Sequence, residues 1–314
     1  MQPATAAIIG AGLIGRAWAM VFARAGWQVH LYDNAPAQLA LARTHIATSL
    51  AEQQAAGLVD DASGAAGRVA MVGRVEDAMA GATWVQENLP EQVELKRDVF
   101  RTLDALAAAD AVLASSTSAI PASQFTEALG GRARCLVAHP VNPPHLVPVV
   151  ELCGAPWTSA ATIERAKSVM SDVGQVPIVV RRELDGFILN RLQGALLSEA
   201  MRLVDEGYVS PEDLDKTVAH GLGLRWSFIG PFATIELNAP GGVADYCARY
   251  GDFYRRLAAD PADPQVWNRD HVARVVAALG EPLAPAERDR RMNARDRRLL
   301  ALARHKRDQS GDQD

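Results

Sequence analysis

The chain is short of lysine, of paired cysteines and of long apolar runs, and each shortage removes a class of function. Most of its 32 basic residues are arginine, and the formal net charge is -5. An acid-leaning chain of this kind lacks the broad basic surface that nucleic acid or an anionic membrane demands. The three cysteines, Cys135, Cys153 and Cys247, are odd in number and far apart, with no Cys/His spacing that suits a metal. Three free thiols suit a reducing compartment. No stretch of 18 apolar residues runs without a charge, so no membrane span is expected. The N-terminus shows no charged segment leading into a long apolar one and a cleavage site, so a cytoplasmic location is expected.

What remains is an ordinary globular composition, 49% hydrophobic and 22% charged over 314 residues, long enough for two domains. In the first half, short β-rich runs alternate with alanine- and leucine-rich stretches. Strands are expected at 6–9, 28–32, 69–72, 84–87, 111–115, 135–139, 147–152 and 176–181. Helices are expected at 13–25, 36–56 and 91–107. Such alternation predicts a Rossmann-type, doubly wound parallel sheet. From about Asp185 no strand pattern appears. Helices are expected at 186–206, from Pro211 behind the cap Ser210, and at 231–237, 244–257, 265–279 and 285–304. The expected organisation is thus α/β: a nucleotide-binding domain over 1–183, an all-helical substrate and dimerisation domain over 184–307, and a frayed polar tail over 308–314. The arginine-rich segment 288–307 carries interspersed aspartates and suits a solvated helix face.

The first apolar strand runs into Gly10-Ala11-Gly12-Leu13-Ile14-Gly15, and the next strand ends in Asp33, 18 residues past Gly15. Gly10 permits the tight turn, Gly12 lets backbone approach a pyrophosphate, and Gly15 lets the helix close on the strand. A carboxylate at Asp33 suits the ribose hydroxyls and repels a 2′-phosphate. Asn34 and Ala35 supply no cation to offset that, so the cofactor expected is NAD rather than NADP.

Four further segments carry chemistry: SSTS (115–118), AHPVNPP (138–144), the strand-end Glu151 and GFILNR (186–191). Oxidation of a hydroxyl needs a base near neutrality, which His139 provides, and a carboxylate such as Glu151 to orient it. The pair forms if the two strands are neighbours. Ser118 and Asn190 are placed to hold the substrate oxygen. Each segment alone also has a plain structural role: a histidine before proline in a turn, serines capping a loop, an asparagine bonding within its helix.

Taken in order, SSTS, HPVNP, a Glu twelve residues after the His, and GF-x-x-NR resemble the 3-hydroxyacyl-CoA dehydrogenase superfamily. VAHPVNPP, PVVEL, GFILNRLQ, SEAMRLVDEGYVSPEDLD and GLGLRWSFIGP are similar, more narrowly, to its lambda-crystallin branch, the L-gulonate 3-dehydrogenases. The resemblance spans residues 4–257. It implies His139 as acid/base, Glu151 as its partner, Ser118 and Asn190 on the reacting oxygen, and Asn142 near the nicotinamide. It also implies Glu91 and Lys96 near the cofactor ribose, and a homodimer through the helical domain. Thioester members of the superfamily need cations after the second strand for the CoA 3′-phosphate. Residues 34–69 hold only Arg43 and Arg68. A small hydroxy acid instead needs one bidentate cation, for which Arg225 is the candidate, although an interdomain salt bridge would also explain it. Oxidation of a small 3-hydroxy acid, L-gulonate first, is the expected activity. A 3-hydroxyacyl-CoA, carnitine held by Trp226 and Phe228, and a purely structural crystallin role are the alternatives.

Overall fold

The computed structural model describes residues 4–309. Its contacts divide the chain into two compact units, one up to Ile188 together with Pro285 onward, the other Leu189–Ala284. The first unit holds β1 (Thr5–Ile9), α1 (Leu13–Arg24), β2 (Gln28–Tyr32), α2 (Pro36–Ala55), α3 (Ala62–Gly67), β3 (Val69–Val72), α4 (Val75–Met79), β4 (Ala82–Glu87), α5 (Val93–Leu106), β5 (Val112–Ser115), α6 (Ser123–Thr126), β6 (Cys135–Pro140), β7 (Val149–Gly154), α7 (Ala160–Asp172) and β8 (Val176–Val180). The strands form one sheet in the order β3-β2-β1-β4-β5-β6-β7-β8.

β1 is apolar from Ala6 to Ile9 because both of its faces are covered. Ala6 and Ile8 pack into one core layer, and Ala7 and Ile9 into the other. Helix α1 is buried at every position from Ala17 to Ala23, since the sheet lies on one side of it and α2 and α3 on the other. The strand order reverses between β1 and β4, which opens a crevice at the carboxyl edge of the sheet, where such folds bind ligands.

One strand departs from the parallel expectation. β7 runs antiparallel to β6, with His139 opposite Glu151. The connecting segment 141–148 is too short for a crossover, so the chain can only turn back. β7 and β8 are parallel and therefore need a crossover. Helix α7 supplies it, capped by the Ser159 side chain, which accepts from Thr162 N–H. This helix is not among those expected from the sequence.

The second unit contains α8 (Leu189–Asp205), α9 (Pro211–Thr217), α10 (Gly223–Trp226), α11 (Pro231–Leu237), α12 (Gly242–Ala258) and α13 (Arg269–Leu279). Ser210 caps α9 as expected, accepting from Asp213 N–H at 3.1 Å. The last helix, α14 (Pro285–Gln309), groups with the first unit instead of the helical one. Its Leu300 is buried, and its Arg304 guanidinium lies 3.7 Å from where a Cβ would stand on Gly57. A helix so charged has a small apolar face, and its composition does not announce which unit that face serves. Of the expected tail, Asp308 and Gln309 continue α14; residues 310–314 lie outside the described ones. Among the described residues no helix is long and apolar enough to cross a membrane, and no group of metal-ligating side chains occurs.

Candidate active site

The nucleotide cradle sits where β1 hands over to α1. Gly10 has φ +97°, open to glycine at little cost. A Cβ on Gly15 would stand 1.8 Å from the Gly10 carbonyl oxygen, so helix and turn touch backbone to backbone. A Cβ on Gly12 would meet nothing within 4 Å. Gly12 is also the N-cap of α1 and brings no side-chain acceptor, so the first amides of the helix are left for an anion. Asp33, at the end of β2, ties the turn together: Oδ2 accepts from Ala11 N–H at 2.8 Å and Oδ1 from Ala35 N–H at 2.9 Å. Its remaining lone pairs face a groove with two compartments. One, about 560 Å³, is lined by Tyr32, Asp33, Asn34, Val75, Leu89 and Val99, and its apolar walls fit a flat base. The other, about 530 Å³, passes Gly12, Ile14, Asn88, Glu91, Ser116 and Ser118. The residues present fit a dinucleotide lying from Asp33 across the glycine turn toward Ser118.

The SSTS turn is held by the segment after β4. Ser116 Oγ donates to Asn88 Oδ1 at 2.7 Å and accepts from Trp18 Nε1 at 3.0 Å. Thr117 Oγ1 donates to Glu91 Oε2 at 2.6 Å, and Ser118 N–H to Glu91 Oε1 at 2.5 Å. Glu91 is 43% exposed and borders the groove. Lys96 is the second residue expected near the cofactor ribose. It is 1% exposed, and its ammonium sits on both oxygens of the buried Glu87 at 3.0 and 2.9 Å. Nothing in the sequence marks Glu87 as its partner, because Glu87 ends a strand nine residues earlier.

The His139–Glu151 pair forms as the strand pairing requires. His139 Nδ1 lies 2.7 Å from Glu151 Oε2, both groups buried. The second oxygen, Oε1, accepts from Ile188 N–H at 2.8 Å. With Nδ1 committed to the carboxylate, Nε2 is the ring nitrogen left to take a proton. The Phe187 ring lies 5.4 Å from the imidazole, tilted by 33°. Gly186 and Phe187 both have positive φ, +74° and +47°, and this tight reversal delivers the ring to His139 and the next amide to Glu151. Sequence reasoning named Gly186 and Phe187 only as part of a motif; a bulky residue at positive φ leaves no mark in composition. Asn142 is exposed in the 141–148 loop. That loop is anchored at His145, whose carbonyl accepts from Arg24 Nη1 at 2.8 Å. Burial, and then the Arg24 charge, push the His145 imidazole down to about 4.

Asn190 and Arg225 belong to the second unit. Asn190 is half-buried in the first turn of α8, and Arg225 is exposed on α10.

Residues 5–184 match the family model of the 3-hydroxyacyl-CoA dehydrogenase NAD binding domain, and residues 186–277 that of its C-terminal domain. A lambda-crystallin homolog of Bos taurus is 45% identical over 258 residues, 81% of this chain and 80% of that protein. An L-carnitine dehydrogenase of Streptomyces griseus is 36% identical over 291 residues, 90% of this chain and 86% of the relative. The crystal structure of 5-formyl-3-hydroxy-2-methylpyridine 4-carboxylic acid 5-dehydrogenase, an NAD+-dependent dismutase, matches with a TM-score of 0.84 at 32% identity, covering 96% of this chain and 98% of that one. The chain belongs to the 3-hydroxyacyl-CoA dehydrogenase family, within which it is similar to the lambda-crystallins. It is an NAD-dependent oxidoreductase acting on CH–OH groups.

Proposed function

We propose that this family member oxidises the 3-hydroxyl of a small 3-hydroxy acid to the 3-keto acid, with L-gulonate the first candidate substrate. The observation that carries the reading is the poverty of cations on α2 and α3. Of the two basic residues between 34 and 69, Arg68 is spent on the Ala23 carbonyl at 2.8 Å, which leaves the exposed Arg43 alone. A CoA 3′-phosphate, largely dianionic at neutral pH, calls for more than that. The likeness to lambda-crystallins supports the same reading.

In this reading His139 takes the hydroxyl proton, Glu151 steadies the imidazolium that results, and Ser118 and Asn190 hold the oxygen. Bound NAD supplies the hydride acceptor, with Asp33 on the adenosine ribose, Gly10, Gly12, Leu13, Ile14 and Gly15 around the pyrophosphate, and Glu91 and Asn142 toward the nicotinamide end. Arg225 takes the substrate carboxylate. The protein works as a cytoplasmic homodimer through its helical unit. That unit's exposed apolar side chains support the dimer, with Leu192, Phe232 and Leu237 each more than 60% exposed, since a patch of this kind is seldom left to water.

A steady-state NADH assay comparing L-gulonate, 3-hydroxybutyrate, L-carnitine and 3-hydroxybutyryl-CoA tests the proposal. L-Gulonate is expected to give the highest kcat/KM. Strong preference for the thioester would sink the small-acid reading. Preference for carnitine would bring this chain closer to its Streptomyces relative and assign Trp226 and Phe228 to the trimethylammonium group.

A further inference from the structure

Strand β4 buries a glutamine that belongs neither to the glycine turn nor to the His139–Glu151 pair. Gln86 is 0% exposed, and both polar atoms of its side chain are engaged. Oε1 accepts from Trp84 Nε1 at 3.0 Å. Nε2 donates to Ser116 Oγ at 2.8 Å and to the Ala138 carbonyl at 3.2 Å. An indole N–H can only donate and a carbonyl can only accept, so the amide has one possible orientation. Opposite Gln86 on β5 stands Ala114, and opposite Ala114 on β6 stands Leu136. The small methyl at 114 lets the amide pass over β5 and reach β6.

The segments that Gln86 joins carry the two halves of the proposed chemistry. Pairing between β5 and β6 runs to Ser115 opposite Val137 and goes no further. Past that point lie Ser116, Thr117 and Ser118 on one side, and Ala138 and His139 on the other. The Ser116 hydroxyl accepts from Gln86 and from Trp18 Nε1 and donates to Asn88 Oδ1. Its hydrogen and both lone pairs are therefore used, and it has no spare capacity for a substitute partner.

We propose that Gln86 is a positioning residue that fixes the serine turn against the strand end bearing His139, and so brings Ser118 and His139 onto one substrate oxygen. The inference rests on the roles proposed above for Ser118 and His139. An oxygen held by one group and deprotonated by another must lie within hydrogen-bond reach of both, and a misplacement of about 1 Å costs on the order of 100-fold in rate. The β5–β6 ladder ends before it can set that separation. One buried amide bonded to both segments sets it instead.

The test uses the full chain and whichever substrate of the panel it oxidises best, at a temperature well below every variant's thermal midpoint. Gln86→Met keeps the length and removes both donated bonds. It is expected to lower kcat roughly 10- to 100-fold while the NAD dissociation constant, by calorimetry, changes by less than about 3-fold. Trp84→Phe is the control for stability. It orphans Oε1 and lowers the midpoint, but the Ala138 carbonyl still dictates which way the amide faces, so both Nε2 bonds survive and kcat should stay within about 2-fold of the parent. If Trp84→Phe loses kcat to the same extent as Gln86→Met, the amide serves packing alone and the proposal is overturned. A tenfold loss of NAD affinity with kcat intact would also overturn it, by placing the effect in the cofactor groove. If Gln86→Met does not fold, Gln86→Glu decides on the same readouts: it keeps the size and the bond from Trp84 but has at most one hydrogen to donate. Ser118→Ala separates the levels. A silent Ser118→Ala removes Ser118 from the site and sinks both readings, whereas an impaired Ser118→Ala beside a silent Gln86→Met sinks only this one.

Discussion

Among the described residues two histidine–carboxylate pairs of nearly equal length differ in the groups around them. His139 and Glu151 face each other across β6 and β7 at 2.7 Å. His271 and Asp205 join α13 to α8 at 2.6 Å. The difference lies in what else holds the acid. Glu151 Oε1 accepts from the main-chain amide of Ile188, a neutral donor. Asp205 also takes Arg274, which reaches both of its oxygens. Hydrogen bonds from Arg274 and then His271 bring its carboxyl down to about 2. A guanidinium that already neutralises the acid leaves little to stabilise a newly charged histidine. The first pair is buried; in the second, the histidine side chain is 35% exposed. A short His–acid distance alone therefore does not make the two pairs alike; the guanidinium on Asp205 sets the second apart.

Swapping the same atoms in the two pairs should separate them most clearly. His139→Gln is expected to cut turnover by a factor on the order of 10³–10⁴ while calorimetry shows NAD binding unchanged, and Glu151→Gln by somewhat less. Near-normal turnover in His139→Gln would remove that residue from the chemistry. Acid should loosen the two regions in sequence. The His145 imidazole titrates near 4 in the folded loop against 6.5 otherwise, so the unfolded chain takes up a proton the loop refuses. Stability around the 141–148 segment should fall between pH 6.5 and about 4. The Asp205 carboxyl titrates near 2 against 3.8. Its contribution to the α8–α13 seam should be complete above about pH 4 and fade only as pH falls toward 2. Hydrogen exchange read by segment should show that order, and simultaneous loosening would contradict it. The smallest effects belong to the second pair. Asp205→Asn should lower the thermal midpoint by a few degrees with turnover within about 2-fold of the parent, and His271→Gln less again, since Arg274 still holds the acid. A large loss of turnover in either would abolish the distinction drawn between the pairs.

Much of the first unit was legible because its signals are local. β2 and β3 have the expected bounds, the glycine turn sits between β1 and α1, and Asp33 ends β2. His139 and Glu151 could be named as partners on condition that their strands pair, and the condition holds. What escaped depends on contacts distant in the chain. The resemblance puts Lys96 near the cofactor ribose but says nothing of Glu87, whose carboxylate it meets. Helix α7 was hidden between two apolar runs that looked like consecutive strands, and only the parallel pairing of β7 with β8 makes it obligatory. The affiliation of α14 depends on a single short apolar stretch meeting the first unit. Leu300 belongs to that stretch, and nothing around it in the sequence indicates where the stretch packs.

The amide of Ile188 has a further consequence. Its side chain is 40% exposed, yet its main-chain N–H holds one of the two oxygens of the carboxylate paired with His139. Main-chain donors survive every replacement except proline. Position 188 can therefore vary widely among relatives while its contribution stays constant, and comparison by residue identity would score it as expendable. Part of what keeps Glu151 in place is inherited as backbone path, through the reversal at Gly186 and Phe187, and not as any particular side chain.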